Sequence, residues 1–189
     1  MEHRETEIKI KPDAPLARVA ARLRTLGATL DRPRHFEDNY ILDDPRRRLR
    51  HGGSLLRVRL TPAGATLTFK GPRRMVRGTK ARDELEAEVS DGTLLLKILA
   101  QIGMRCAFRY QKYRTIYRHS SVLITLDETP MGDYLEIEGS PGGIARFAKR
   151  AGFGRENFIT ATYHELFMSY KKIHRIKSRD MLFGIKSSR

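Results

Sequence analysis

Polar and apolar residues alternate along most of the chain with a period of two, which is typical of β-strands. In the first such segment Ile8 and Ile10 lie on one face, and Glu7 and Lys9 lie on the other. The same period predicts further strands at residues 35–42, 54–60, 65–71, 82–89, 105–119, 121–127 and 133–139. Short turns join several of these segments, which favours antiparallel pairing between neighbours.

A second pattern, with apolar residues three or four positions apart, predicts helices between the strands. In the first of them Leu16, Val19, Leu23 and Leu26 recur at this spacing, and Gly27 is a suitable residue to end the helix. The same reasoning predicts helices at residues 91–102, 141–151 and 157–171, with basic loops at 46–53 and 72–80. We expect one domain over residues 1–171, followed by a basic C-terminal tail over residues 172–189.

The polar faces of the strands are selectively charged, whereas a solvated face usually mixes in Ser, Asn and Gln. These faces carry Glu5, Glu7, Lys9, Arg57, Arg59, Lys70, Arg82, Glu84, Glu86, Lys112, Arg114, Asp127, Glu136 and Glu138. If helices cover the apolar faces, the charged faces point inward, and about eight strands can close a barrel around side chains or one ligand. The pattern predicts an α+β fold: a closed, mostly antiparallel β-barrel with helices outside. A plain solvated face remains the alternative for any single strand.

Enclosed charges are unfavourable unless they are paired or bind something. A divalent metal ion would satisfy the carboxylates, and a polyphosphate would satisfy the arginines and lysines. Hard oxygen ligands suit Mg²⁺ or Mn²⁺, which proteins commonly bind together with substrate phosphates. The residue types therefore point to metal-dependent processing of a triphosphate.

The composition adds a net charge of +15 and a single cysteine, Cys106. The positive charge fits a solubilising surface, nucleic-acid binding, or a pocket for a small polyanion. One cysteine excludes a disulfide within the chain and a Cys-rich metal site. The polar N-terminus is unlike a signal peptide, and no apolar run in the sequence could span a bilayer, so we expect a cytoplasmic protein without membrane association.

Short motifs follow one another in a fixed order along residues 4–170. They are Glu5-Thr6-Glu7-Ile8-Lys9, Asp38-Asn39-Tyr40-Ile41-Leu42-Asp43, Gly53-Ser54-Leu55-Leu56-Arg57-Val58-Arg59, Thr68-Phe69-Lys70-Gly71-Pro72, Arg82-Asp83-Glu84-Leu85-Glu86, Lys112-Tyr113-Arg114, Asp127 with Gly132, Glu136-Ile137-Glu138, and Thr162-Tyr163-His164-Glu165-Leu166. This ordered set resembles the CYTH domain of the triphosphate tunnel metalloenzyme superfamily, in particular its bacterial class IV adenylyl cyclase-like branch. Asn39 and Leu42 depart from the Thr and Phe that are frequent in that family.

The resemblance implies a role for each charged position. The implied metal ligands are Glu5, Glu7, Asp127, Glu136 and Glu138. The implied phosphate-binding residues are Lys9, Arg57, Arg59, Lys70, Arg82, Lys112 and Arg114. The catalytic set comprises Glu5, Glu7, Lys9, Lys70, Glu84, Glu86, Lys112 and Arg114. The implied cofactor is Mg²⁺ or Mn²⁺, and the implied partner is a small-molecule triphosphate such as ATP or tripolyphosphate, bound by a monomer or homodimer.

Two reactions fit one such site. An adenylyl cyclase converts ATP to cyclic AMP and pyrophosphate, whereas a triphosphatase hydrolyses inorganic tripolyphosphate, a nucleoside triphosphate or thiamine triphosphate. A basic nucleic-acid-binding module is a third hypothesis, based on the basic runs at 46–50, 73–80 and 171–179. Nucleic acid is not the expected partner, because its binding groove would not normally carry acidic residues such as Glu7 and Glu136.

Overall fold

The computed structural model describes residues 3–4, 6–72, 74–76, 79–81 and 83–184, with side chains described for 6–72 and 83–184. The chain forms two compact units. The first unit comprises Met1–Glu5, Phe36–Gln111 and Ser178–Leu182, and the second comprises Thr6–His35, Lys112–Lys177 and Phe183–Arg189. In the described residues no helix is both long and apolar enough to cross a membrane.

Strands dominate the chain, and helices separate them. The strands are β1 (His3–Arg4), β2 (Glu7–Ile10), β3 (Thr29–Asp43), β4 (Leu55–Thr61), β5 (Gly64–Lys70), β6 (Arg74–Val76), β7 (Thr79–Ala81), β8 (Asp83–Val89), β9 (Arg105–His119), β10 (Val122–Thr129) and β11 (Gly132–Glu138). The α-helices are α1 (Leu16–Thr25), α2 (Arg48–His51), α3 (Gly92–Gln101), α4 (Pro141–Arg150) and α5 (Tyr163–Ile173), and a 3₁₀ turn covers Arg155–Asn157.

In the first unit, neighbouring strands pair antiparallel in the order β1, β8, β5, β4, β3. The predicted hairpin is confirmed as β4 and β5. Helix α3 approaches this hairpin closely at Gly92, where an added Cβ would meet the side chains of Leu60 and Ala65. Leu85 on β8 is 69% exposed, so the expected cover of that strand's apolar face by a helix is wrong. The reason is that α3 lies over β4 and β5.

In the second unit, neighbouring strands pair antiparallel in the order β9, β10, β11, β2. Their apolar face and the helices α1 and α4 form one hydrophobic core, as the sequence predicted. Its buried members are Ile8, Ile10, Val19, Leu23, Ala28, Tyr117, Val122, Ile124, Leu126, Leu135, Ile137, Ile144, Phe147, Ala148 and Ala151. The opposite face of these strands is therefore free to carry the charged residues.

The α+β class and the antiparallel strands are confirmed. A closed barrel is not confirmed, because the order of paired strands among the described residues has two ends, β1 and β2. The backbone of Lys9 on β2 also bonds to Ile159, whose N–H and carbonyl complete a short bridge of 2.8 and 3.0 Å.

Three local predictions need correction. The predicted helix at 157–171 begins only at Tyr163, because Thr162 and Glu165 form a capping box that starts α5 there. The basic loop at 46–53 contains the short helix α2, in which the N–H groups of Leu49 and Arg50 donate to Asp43. The basic loop at 72–80 contains β6 and part of β7, which pair as a hairpin.

Candidate functional site

Antiparallel pairing in the second unit brings charged positions of neighbouring strands together. Strand β11 places Glu136 opposite Lys9 and Glu138 opposite Glu7. Strand β10 places Asp127 opposite Arg114 of β9. We call the group Glu7, Lys9, Lys112, Arg114, Asp127 and Glu136 the second-unit cluster. Its charged face is the three-dimensional result of the alternation seen in the sequence.

Lys9 links two carboxylates of this cluster. Its Nζ lies 2.7 Å from Oε1 of Glu7 and 3.1 Å from Oε1 of Glu136. Lys9 is only 4% exposed and Glu136 only 7%, whereas the Glu7 side chain is 40% exposed. The ammonium is therefore held by two acids at a largely buried position, and Glu7 is the acid that reaches solvent.

Asp127 links two cations of the same cluster and is fully buried. Its Oδ1 accepts a hydrogen bond from Nε of Arg114 at 2.7 Å, and its Oδ2 accepts one from Nη2 of Arg114 at 2.6 Å. Nζ of Lys112 donates to Oδ2 at 3.0 Å. Arg114 also contacts Glu136. The cations and carboxylates thus form one continuous network on the strand face.

The charges of the network determine its protonation states. Burial alone would raise the pKa of the Glu136 carboxyl, but Lys9, Arg114 and Lys112 outweigh burial and hold that pKa well below its usual range. Burial alone would lower the pKa of the Lys9 ammonium, but Glu136 and Glu7 outweigh it and raise that pKa. Both groups therefore stay ionised at neutral pH.

Tyr163, the first residue of α5, completes this face. Its hydroxyl donates to Oδ2 of Asp127 at 2.6 Å, and its ring centroid lies 5.3 Å from Nζ of Lys9 and 5.2 Å from Nζ of Lys112. Burial, and then the neighbouring carboxylate of Asp127, raise the pKa of the Tyr163 hydroxyl well above its usual range. The hydroxyl therefore keeps its proton and acts as a donor.

The first unit carries a separate charged group on β4, β5 and β8. Nη2 of Arg57 donates to Oγ1 of Thr68 at 3.1 Å, and that hydroxyl donates to Glu86 at 2.9 Å. Nζ of Lys70 lies 3.0 Å from Oε2 of Glu84. The pairing of β5 with β4 places Thr68 opposite Arg57, and its pairing with β8 places Thr68 opposite Glu86 and Lys70 opposite Glu84.

Arg59 extends this group toward β3. Its Nε donates to Oδ1 of Asn39 at 3.1 Å, and its Nη1 lies 3.5 Å from Oε1 of Glu37. We call Glu37, Asn39, Arg57, Arg59, Thr68, Lys70, Glu84 and Glu86 the first-unit cluster. The side chains of Arg57 and Arg59 are 11% and 19% exposed, so these arginines do not face bulk solvent.

The structure brings most of the predicted residues into these two clusters. Glu5 and Arg82 lie outside the residues whose side chains are described, and Glu138 is half-buried on β11. Sequence reasoning missed Tyr163, Thr68 and Glu37 as members. Thr68 and Glu37 have a signal in the sequence, because they share strand faces with Lys70 and Asn39. Tyr163 has none beyond its motif.

The donor set suits a hard divalent cation, although the described side chains form no ready-made cage. Among the described residues no three His, Cys, Asp or Glu side chains converge closely enough to hold a metal ion. Mg²⁺ is often bound by one or two carboxylates together with substrate phosphates, so a preformed cage is not required. Glu7 and Glu136 fit that requirement, because both lie within 3.1 Å of the same ammonium and the Glu7 side chain reaches solvent.

Similar structures share this fold. A putative adenylate cyclase from Vibrio parahaemolyticus has a TM-score of 0.75 and 19% identity, over 89% of this chain and 99% of that one. A protein from Pyrococcus horikoshii OT3 has a TM-score of 0.69 and 24% identity, over 87% and 98%. A putative adenylyl cyclase from Hippeastrum, described as having a dominant triphosphatase activity, has a TM-score of 0.62 and 19% identity, over 88% and 96%.

No curated protein matches the sequence. These three structural similarities, each below 25% identity, establish the fold. The family follows from the sequence itself, since the CYTH domain matches residues 3–152. That match covers the strands of both clusters up to β11 and confirms the resemblance inferred from the motifs. The chain belongs to the CYTH domain family.

Proposed function

We propose that this protein is a divalent-metal-dependent enzyme that acts on a triphosphate, in the manner of a class IV adenylyl cyclase that converts ATP to cyclic AMP and pyrophosphate. Hydrolysis of inorganic tripolyphosphate, a nucleoside triphosphate or thiamine triphosphate is the alternative reaction at the same residues. The observation that carries the proposal is the second-unit cluster, in which carboxylates hold the buried Lys9 and Lys112 and the partly buried Arg114.

The charge balance of that cluster supports a metal-loaded substrate. Its three cations, Lys9, Lys112 and Arg114, are balanced by three carboxylates. These are Glu7, Asp127 and Glu136. A triphosphate entering alone would add several negative charges to a balanced, poorly solvated network, which is unfavourable. A divalent cation that accompanies the phosphates removes this excess, as is usual in phosphoryl transfer.

The proposed roles divide along charge. The proposed phosphate ligands in the second unit are Lys9, Lys112 and Arg114. The proposed phosphate ligands in the first unit are Arg57, Arg59, Lys70 and Arg82. Glu7, Glu136 and Glu138 hold the metal ion, and family resemblance adds Glu5. The same resemblance implies a metal role for Asp127, whose oxygens accept hydrogen bonds from Lys112, Arg114 and Tyr163 in the structure. A bound Mg²⁺ or Mn²⁺ would neutralise charge that develops on the phosphates during in-line attack. Glu84 and Glu86 orient the attacking group.

Closure of the strands into a barrel belongs to the same proposal. It is supported by the chain path, because β1 and β2, which end the strand order, are consecutive strands separated by two residues. The names of two similar structures support keeping both reactions open, since one is called a putative adenylate cyclase and the other is credited with triphosphatase activity.

One experiment tests the proposed function directly. The purified protein is incubated with Mg²⁺ or Mn²⁺ and, in parallel, with ATP, tripolyphosphate or thiamine triphosphate, and the products are identified. Cyclic AMP with pyrophosphate supports the cyclase, and released orthophosphate supports the triphosphatase. If the protein neither binds nor converts any of these triphosphates with either metal, the proposal is wrong.

Two variants with matched controls test the residue assignments. Glu7→Ala is expected to abolish metal-dependent turnover with the fold retained, whereas the exposed Glu156→Ala leaves turnover unchanged. Arg59→Ala is expected to weaken triphosphate binding, whereas Arg105→Ala, at an exposed strand position of the same unit, leaves it unchanged. Equal behaviour of Arg59→Ala and Arg105→Ala would remove Arg59 from the phosphate site.

A further inference from the structure

The motif around Tyr163 has no role in the function described so far, yet its side chain sits in the centre of the second-unit cluster. We infer that Tyr163 is a positioning residue, which acts through Asp127 and through its ring to hold Lys9, Lys112 and Arg114 where they bind phosphate. Asp127 then serves as the buried anchor of two cations rather than as a metal ligand. This inference rests on the proposed function.

The hydrogen bonds of Asp127 carry the first part of the argument. A carboxylate offers about four lone-pair sites. Arg114 donates to both oxygens of Asp127, while Lys112 and Tyr163 both donate to Oδ2. Asp127 is fully buried. Its lone pairs are therefore largely committed to side chains of the protein, which suits an anchor and leaves little capacity for a metal ion.

The hydroxyl of Tyr163 helps to fix the orientation of the Asp127 carboxylate. Without it, Oδ2 of Asp127 would lose one of its three donors, and the carboxylate could rotate about its Cβ–Cγ bond. Rotation would displace Arg114 and Lys112 together, since both hydrogen bond to the same group. Reactions that depend on placing phosphates are sensitive to displacements of this kind.

The ring of Tyr163 makes a second, independent contact with the cations. Nζ of Lys9 and Nζ of Lys112 each lie about 5 Å from its centroid, within the range of cation–π attraction. Tyr134 packs edge-on against the same ring, with centroids 5.5 Å apart. The ring thus provides a fixed surface against which two lysines are positioned.

The backbone around Tyr163 is itself fixed at two points. Thr162 and Glu165 close the capping box at the start of α5, with Thr162 N–H donating to Glu165 at 2.7 Å. Ile159 forms a backbone bridge with Lys9 of β2. The segment just before Tyr163 is therefore held beside the strand that carries Lys9, and the helix start sets the direction in which the Tyr163 side chain leaves the backbone.

The test removes the hydroxyl and the ring in turn. Tyr163→Phe keeps the ring, and Tyr163→Leu removes both contacts. The matched control is Tyr117→Phe, since Tyr117 is a buried tyrosine of the same unit whose hydroxyl accepts from Arg24 and belongs to the hydrophobic core. Binding of tripolyphosphate is measured by calorimetry with Mg²⁺ present, together with turnover and the thermal unfolding midpoint.

We expect Tyr163→Phe to weaken tripolyphosphate binding about tenfold or more, the loss of one hydrogen bond to a charged group, and to lower turnover as well because the cations that place the phosphates are displaced. Tyr163→Leu is expected to weaken binding further, and Tyr117→Phe to leave it unchanged. Combining Tyr163→Phe with Lys112→Met should weaken binding by less than the product of the single effects, because both changes act on one network.

The Mg²⁺ concentration that gives half-maximal tripolyphosphate binding separates an anchor from a metal ligand. It stays unchanged in Tyr163→Phe if Asp127 anchors cations, and it shifts if Asp127 binds the metal ion, which would overturn the inference. Binding by Tyr163→Phe that equals binding by Tyr117→Phe would also overturn it while leaving the proposed function intact. Failure of the unmodified protein to bind any triphosphate would instead refute the proposed function, and the inference with it.

Discussion

Replacing Glu136 with Gln tests whether the second-unit cluster is an energetically coupled network. The substitution preserves the size of the side chain but removes its negative charge. Lys9 and Arg114 would each lose one of their carboxylate partners, since both contact Glu136 in the structure. The result is an excess of positive charge at a position where water cannot compensate it.

The expected cost follows from the burial of Glu136. Removing one partner of a buried ion pair typically lowers the free energy of unfolding by about 3–5 kcal/mol. Lys9 keeps its contact with Glu7, and Arg114 keeps Asp127, so the lower end, about 3 kcal/mol, applies. For a chain of this size, that loss lowers the thermal midpoint by about 6–12 °C.

The pH dependence has a defined sign. The pKa of Glu136 in the folded protein lies below its value in the unfolded chain, so its stabilisation is fully present above the unfolded pKa of about 4.3. As the pH falls below that value, the unfolded chain takes up the proton first and the stabilisation shrinks by about 1.4 kcal/mol per pH unit. The difference between the parent protein and Glu136→Gln should narrow accordingly.

Urea unfolding followed by circular dichroism, at pH 7 and near pH 3.5, measures both effects. Glu156→Gln is the control, because Glu156 is an exposed acid of the same unit, and it should change the free energy of unfolding by less than about 0.5 kcal/mol. The reasoning is refuted if Glu136→Gln is as stable as the parent at pH 7. It is equally refuted if the difference between the two proteins does not narrow in acid.

Three further substitutions test the local structure through the unfolding midpoint. Asp91→Ala removes the N-cap of α3, where the side chain accepts a hydrogen bond from the N–H of Leu94 at 2.8 Å. It should lower the free energy of unfolding by about 1 kcal/mol, and an unchanged midpoint would show that the cap does not stabilise the protein. Thr162→Ala breaks the capping box of α5 and should lower the free energy of unfolding by about 1 kcal/mol. It should also weaken triphosphate binding, and normal binding would contradict the placement of Tyr163 by this cap. Gly92→Ala would set a Cβ 2.5 Å from that of Ala65 and should cost about 1–3 kcal/mol, whereas a stabilised variant would contradict that packing.

The sequence predicts the longer strands well because each of them carries its own signal, whereas the three-residue strands β6 and β7 fall mostly in a predicted loop. Alternation fixes which residues share a face, and short turns fix which strands are neighbours. Alternation is the reason that Arg57 and Arg59 could be assigned to one face. The neighbouring positions of β5 and β8 in the sheet are the reason that Lys70 lies beside Glu84.

Long-range contacts escape that reasoning. The bridge between Lys9 and Ile159 joins segments far apart in the chain, and no periodicity marks either residue for it. Tyr163 was placed inside a predicted helix rather than at its start, so its direction toward Asp127 could not be derived. The exposure of Leu85 was also missed, because alternation identifies an apolar face without showing which element covers it.

The interleaved order of the two units has a consequence for synthesis on the ribosome. Met181 is fully buried, and its backbone bonds to Arg109 and Gln111, so the first unit takes one of its interior residues from Ser178–Leu182, which follows the long second-unit segment Lys112–Lys177. Most of the second unit is translated before that segment. A nascent chain stalled before Ser178 could therefore complete the hydrophobic core of the second unit, while the first unit would mature only after Ser178–Leu182 emerges.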